Sequence, residues 1–243
     1  MTGEKRTMDQ MLGILMLDTH FPRIKGDVGN PESFLYPVRK LTVRGASPDR
    51  VVREADPALL EPFLQAAEQL EREGCAAITT SCGFLAMFQK ELAARVSIPV
   101  FTSSLLQVRT AYGLLPEGKK VGILTADGRK LGERHFRGAG IEDVPKVVYG
   151  MEGTHFHDIY VGDREDLDPA RAGEELQRAA LRMVEEHPEV GAVVCECTNM
   201  PPYTDALRRI LKCPVYDILT LADHVMRSVR RNEDLYSSPA CGT

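Results

Sequence analysis

The chain has 243 residues, 43% of them hydrophobic and 27% charged, and a formal net charge of −5. That length buries a full core, as one large domain or two of about 100–150 residues each, and the composition is that of an ordinary globular chain. An acidic balance without a basic run excludes nucleic acid as a partner, and no apolar stretch approaches the roughly 20 residues of a membrane span.

Residues 1–10 read as a polar lead-in with no signal-like apolar core. A cytoplasmic location is expected, where the six cysteines stay reduced. Met11 to Leu17 is a continuous apolar run of strand length, as in a parallel strand covered on both faces. It ends at Asp18-Thr19-His20. The segment Phe21 to Val43 follows, rich in Gly and Pro, with Arg23, Lys25, Asp27, Asn30 and Tyr36. Parallel sheets place ligands against loops of this kind; a solvated surface loop is the competing reading. Leu41-Thr42-Val43 reads as a second strand. Asp56-Pro57 is the N-cap and first turn of a helix to about Glu73, with Leu59, Leu60, Phe63, Leu64, Ala67 and Leu70 on one face and Gly74 closing it.

Next comes an apolar run, Cys75 to Ile78, ending in Thr79-Thr80-Ser81-Cys82-Gly83-Phe84, then a helix over 84–96 and a strand at Pro99-Val100-Phe101. Another helix starts at Ser103-Ser104 and stops at Gly113. Leu114 to Gly118 is the best candidate joint. Beyond it the pattern restarts. Gly122-Ile123-Leu124 with Asp127 repeats Gly13-Ile14-Leu15 with Asp18 at an offset of 109, and Cys197 repeats Cys82 at an offset of 115. From Cys82 to Pro99 is 17 positions, as is Cys197 to Pro214, and both helices run on to Pro-Val-aromatic. Two landmarks in the same order indicate an internal duplication. Gly150 to Asp168 reads as a polar loop holding His155, His157 and Asp158. A helix runs from Asp168-Pro169 to Val184. A strand over Val190–Val194 leads to Cys195-Glu196-Cys197-Thr198-Asn199-Met200-Pro201, and after the next helix and strand a last helix spans Leu219–Arg231.

Alternating strands and helices call for an α/β fold with parallel sheets. The expected architecture is two similar lobes related by a pseudo-twofold axis, with the site in the cleft between them. The first covers 1–115, completed by the helix over 218–231; the second covers 116–217; a flexible tail covers 232–243. Ligands then sit at the strand carboxyl ends, where Cys82 and Cys197 approach from opposite sides. A cysteine at a helix N-terminus is expected to have a lowered pKa. Two such thiols across a carbon centre remove a proton from one face and deliver one to the other, inverting the centre without a cofactor or metal. Backbone amides beside them suit a carboxylate.

These segments resemble the aspartate/glutamate racemase superfamily, in element order over nearly the whole chain and most sharply at the two cysteines. The resemblance implies a homodimeric, cofactor-independent racemase or epimerase in amino-acid metabolism, acting beside a carboxylate with Cys82 and Cys197 as the acid/base pair. Thr198 and Asn199 match the pair that follows the second family cysteine, with Asn in place of His. Gly83-Phe84 departs from the Asn-Thr that follows the first, so Ser81 and its neighbours Thr79 and Thr80 would supply hydroxyls instead. Asp18-Thr19 stands where the family has a substrate loop, with Thr125 and Asp127 at the mirror position. Arg23 or Lys25 would meet a second substrate anion. The expected substrate-binding set is therefore Asp18, Thr19, Ser81, Gly83, Phe84, Thr125, Thr198 and Asn199.

Two other readings fit the same residues. One is a maleate-isomerase-like or arylmalonate-decarboxylase-like cysteine enzyme on a small carboxylic acid. The other is a non-catalytic binding protein for a small carboxylate, which the Gly83-Phe84 departure favours. Cys195 is expected on the same strand face as Cys197, with Thr80 as its counterpart. Cys75 and Cys213 read as core, Cys241 as an exposed thiol, His155 and His157 as solvated, and Asp217 as a helix cap.

Overall fold

The structure, a computed structural model, describes residues 11–229. The expected lead-in 1–10, the last two positions of the helix expected over 219–231, and the expected tail 232–243 with Cys241 lie outside the described residues.

The first sheet consists of β1 (Leu12–Met16), β2 (Val38–Thr42), β3 (Ala77–Thr80) and β4 (Val100–Phe101), in the order β2-β1-β3-β4. The second consists of β5 (Lys120–Thr125), β6 (Lys146–Gly150), β7 (Val190–Cys195) and β8 (Val215–Tyr216), in the order β6-β5-β7-β8. All pairs are parallel. The two sheets therefore repeat one topology. Registers agree as well: Leu15 pairs with Thr80, and Leu124 with Cys195. One residue further, the amides of Ser81 and Glu196 donate to the carbonyls of Leu15 and Leu124. Ser81 and Glu196 are thus structural equivalents. β1 and β3 are buried along their whole length and β5 and β7 nearly so, which is why their sequences are continuous apolar runs instead of alternating ones.

Eight α-helices surround the sheets among the described residues: α1 (Leu60–Arg72), α2 (Gln89–Arg95), α3 (Val108–Gly113), α4 (Glu133–Ala139), α5 (His155–Tyr160), α6 (Pro169–Glu186), α7 (Pro201–Ile210) and α8 (Ile218–Val229). The Asp56 carboxylate accepts from the Ala58 amide to start the turn that leads into α1, which buries Phe63, Leu64, Ala67 and Leu70. Gly74, at φ +84°, lets the chain turn back toward β3. The helix expected after Cys82 begins as a 3₁₀ turn, Gly83–Phe88, before α2, and a similar turn, Ser104–Gln107, precedes α3. Neither β6 nor α4 stands out in the sequence, because β6 is a half-buried edge and α4 has only seven residues. The segment read as a polar loop over 150–168 contains α5, whose six residues are too few to show a period. Its start is capped by the Thr154 hydroxyl, which accepts from the His157 amide. No helix among the described residues is long and apolar enough to cross a membrane.

The last helix returns to the first sheet. Ile218, Leu221, Ala222 and Met226 of α8 form one buried cluster with Leu12, Ile14 and Met16 of β1, Ala77 of β3 and Phe101 of β4. The lobes also meet where α4 crosses the Gly83–Phe88 turn. A Cβ on Gly138 would lie 1.8 Å from the Ala86 carbonyl oxygen, so only a glycine permits this approach. Gly138→Ala should lower the stability to urea by about 1–3 kcal/mol, the usual cost of overpacking. An unchanged midpoint would mean that the two backbones do not meet in solution.

Candidate active site

Cys82 and Cys197 stand just beyond the carboxyl ends of β3 and β7, and the fold brings them to one cavity. Ser81, Gly83 and Phe84 line it beside Cys82, and Glu196, Thr198 and Asn199 beside Cys197. Its walls are apolar: Leu17, Phe21 and Val52 on one side, Ala126, Tyr160 and Val161 on the other. The volume is about 20 Å³, room for roughly one water. A small acid therefore enters only if lining side chains or loops shift.

The cavity is built where the two strand-end segments press together. The Thr198 hydroxyl donates to the Ser81 carbonyl (2.7 Å), and the Ser104 hydroxyl to the Cys195 carbonyl (2.6 Å). The Asn199 amide donates to Asp27 (2.5 Å), while its carbonyl accepts from the Cys197 thiol (3.4 Å). Arg23 completes the chain of contacts. Its guanidinium donates to Asp27 (3.0 Å) and to Thr19 (2.9 Å), and lies 4.4 Å above the Phe21 ring. Over the rim, Asp163 accepts from the backbone amides of His20 and Phe21 and pairs with the His20 ring at 2.7 Å. Asp163 holds a left-handed φ of +54° to do so.

The expected binding residues divide into two groups. Ser81, Gly83, Phe84, Thr198 and Asn199 line the cavity. The polar side chains among them are engaged: the Ser81 hydroxyl accepts from the Leu17 amide, and those of Thr198 and Asn199 make the contacts above. Asp18 and Thr19 instead line a neighbouring pocket with Arg23 and Lys40, and Asp18 accepts from the Gly45 amide. Thr125 does not line the cavity; its hydroxyl donates to Glu196 (2.7 Å). His157 pairs with Asp127 (3.2 Å) and His155 accepts from the Asp168 amide, both away from the cysteines. Asp217 caps α8, accepting from the Thr220 amide.

Cys195 is fully buried beside Asp217 and Arg208 and, unlike Cys197, does not line the cavity. The thiols, moreover, are not acidified. Burial pushes Cys82 up to about 12 and Cys197 well above the usual thiol range, and the Glu196 carboxylate raises both further. Amides of Phe84 and Leu85 beside Cys82, and of Asn199 beside Cys197, pull the other way and lose. Desolvation outweighs a few backbone dipoles.

In the sequence Glu196 stands out only by its place between two cysteines. In the structure it is fully buried in the cavity wall, and its Oε1 has no hydrogen-bond partner among the described residues. Burial pushes its carboxyl up to about 7, against the Thr125 hydroxyl that favours ionisation. Phe21 and Tyr160, which close the cavity, also went unseen, since neither belongs to a periodic pattern.

A profile of the Asp/Glu/Hydantoin racemase family matches residues 44–223. The chain is 33% identical over 224 residues to a dimethylsulfoniopropionate lyase of Durusdinium sp. clade D, covering 89% of this chain and 74% of that one. It is 31% identical over 232 residues to dimethylsulfoniopropionate lyase 3 of Emiliania huxleyi (strain CCMP1516), covering 91% of this chain and 60% of that longer protein. Among solved structures, arylmalonate decarboxylase superposes with a TM-score of 0.63 at 16% identity, over 91% of this chain and 93% of that one. The aspartate racemase of Picrophilus torridus superposes with a TM-score of 0.54 at 16% identity, over 92% and 96%. At such identities these two likenesses establish the fold.

Raising the Glu196 pKa from 4.5 to about 7 means that the folded chain holds this proton after the unfolded chain has lost it. Stability is therefore lost as pH rises from about 4.5 through about 7, by roughly 3 kcal/mol for this group. His135, lowered to about 4 by burial, acts oppositely in the same window, its contribution being lost as pH falls. Comparing variant with wild type at each pH cancels it. Glu196→Gln should gain about 3 kcal/mol relative to wild type between about pH 5 and about pH 8 in urea unfolding; a constant difference would show that Glu196 ionises normally.

Proposed function

The chain belongs to the Asp/Glu/hydantoin racemase family, and from that premise we propose that it is a cysteine-dependent lyase acting on a small β-sulfonio acid such as dimethylsulfoniopropionate. The observation that carries this reading is the make-up of the cavity: two thiols and a carboxyl among aromatic and aliphatic walls, with no ammonium or guanidinium among its lining residues. Such a wall suits a substrate with a cationic, apolar head. The identity to dimethylsulfoniopropionate lyases over nine-tenths of the chain supports the same substrate class.

Cys82 is the base in this scheme. Cys197 donates to Asn199 and so rests as a thiol. Binding of a sulfonium next to Cys82 favours its thiolate by direct charge attraction. The thiolate takes a proton from the carbon beside the carboxylate, and the C–H electron pair becomes the second bond of a carbon–carbon double bond. The bond from the β-carbon to sulfur breaks with its pair on sulfur. Dimethyl sulfide and acrylate leave, and the Cys82 proton passes to solvent. Amides at 83–84 and 198–199 hold the carboxylate.

A racemase is the second reading, favoured by the retention of both cysteines at equivalent strand ends. Yet their neighbours differ: Ser81, Gly83 and Phe84 around one, Glu196, Thr198 and Asn199 around the other. A reaction run equally from two faces has no evident use for that asymmetry.

Incubation with dimethylsulfoniopropionate should release dimethyl sulfide, measured in the headspace, with equimolar acrylate. Cys82→Ser should lower the rate about 10²–10⁴-fold, the usual contribution of a general base, and Cys197→Ser by less. Absence of sulfide, with deuterium entering the α-position of aspartate, glutamate or a hydantoin in D₂O, would establish the racemase instead.

A further inference from the structure

Glu196 has no assigned part in the reaction above, although it occupies the cavity. Glu196 lines the cavity between the cysteines; Thr125 holds one of its carboxyl oxygens, and the other is buried without a partner among the described residues. The chain makes room for it. A Cβ on Gly83 would lie 2.2 Å from Oε1 and 2.4 Å from the Glu196 carbonyl oxygen, so only a glycine after Cys82 leaves room for the carboxyl where it stands. A buried carboxylate with an unsatisfied oxygen is costly unless a cation meets it. Arg23, which joins the site through Asp27 and Asn199, is spent on Asp27, Thr19 and the Phe21 ring.

We propose that Glu196 is the counter-ion for the cationic head of the substrate and selects a sulfonium over an uncharged or primary-ammonium group. The inference rests on the lyase reading for its substrate class. The Phe21, Phe84 and Tyr160 rings complete the receptor, since ring faces attract a poorly hydrated cation. A primary ammonium presents three N–H donors that each ask for an acceptor, which Leu17, Val52 and Val161 do not supply. A sulfonium has no such donors, and one free carboxylate oxygen neutralises it. The carboxylate of the substrate then points away from Glu196, toward the amides.

The test is calorimetric titration of the Cys82→Ser protein, which turns the substrate over too slowly to disturb the titration. The probes are dimethylsulfoniopropionate, its uncharged isostere 4-methylpentanoate, and 4-aminobutanoate. The sulfonio acid should bind at least about tenfold more tightly than either other acid. Adding Glu196→Gln should reduce that ratio to about one while 4-methylpentanoate binding stays within about twofold. Glu196→Asp, which keeps the charge, should retain part of the preference and serves if the glutamine variant does not fold. An unchanged ratio in Glu196→Gln, tighter binding of 4-aminobutanoate, or no binding of any of the three acids would overturn the proposal. A cation preference that depends on Glu196 without sulfide release from the unsubstituted protein would sink the lyase reading alone. Sulfide release with a preference indifferent to residue 196 would sink this one alone.

Discussion

The contact between the segments 81–84 and 196–199 is what the rest of the structure depends on. Each segment is the first irregular backbone after a buried parallel strand, and each leaves polar groups that need partners. They satisfy one another across the lobes, Thr198 on the Ser81 carbonyl and Ser104 on the Cys195 carbonyl. A buried hydrogen bond of this kind contributes only about 1 kcal/mol net, but losing one partner strands the other at about 1–3 kcal/mol. The junction is therefore closed because opening it is costly. The same closure removes water from the cysteines and explains why their protons are held so tightly.

Duplication supplies the scaffold, and divergence supplies the chemistry. The repeated strand order and matching registers put Cys82 and Cys197 at equivalent places. Around them the two copies no longer agree. Where one repeat has Ser81, whose hydroxyl accepts from the Leu17 amide, the other has a cavity-lining glutamate with one carboxyl oxygen unpartnered among the described residues. Where one has Thr198, which binds across the interface, the other has a glycine that yields space to that glutamate. The cavity thus has one side with an unpartnered carboxyl oxygen among the described residues and one side hydrogen-bonded across the lobes.

How much of this was legible in the sequence follows from what each feature depends on. The sheets were readable because Leu12–Met16 and Val190–Cys195 are covered on both faces and so carry unbroken apolar runs. The duplication was readable because Gly13 and Gly122 recur at the same place in their strands. The short elements were not. Neither β6 nor α5 has enough residues inside the core to impose a period. Nor could the acidity of the thiols be judged, because the helix-terminus argument counts backbone dipoles and omits the desolvation that only three-dimensional burial reveals. Glu196 stayed hidden for the same reason. A glutamate between two cysteines gives no sign in sequence that Gly83, more than a hundred positions earlier, has made room for it.

The return of α8 to the first sheet also has a consequence for how the protein comes into being. Chains emerge from the ribosome N-terminus first, at about 5–20 residues per second, and domains tend to fold as they appear. Here the lobe that emerges first is the one that cannot finish. One face of β1 and β3 is covered by Ile218, Leu221 and Met226, which are synthesised only after the whole of the second lobe. Until then Leu12, Ile14 and Ala77 have only first-lobe residues such as Val28, Tyr36 and Phe101 to cover that apolar face. The second sheet, all of whose strands lie between Lys120 and Tyr216, is complete by that point. The lobe that is translated last is thus positioned to consolidate first, and the earlier one waits for a helix from the far end of the chain.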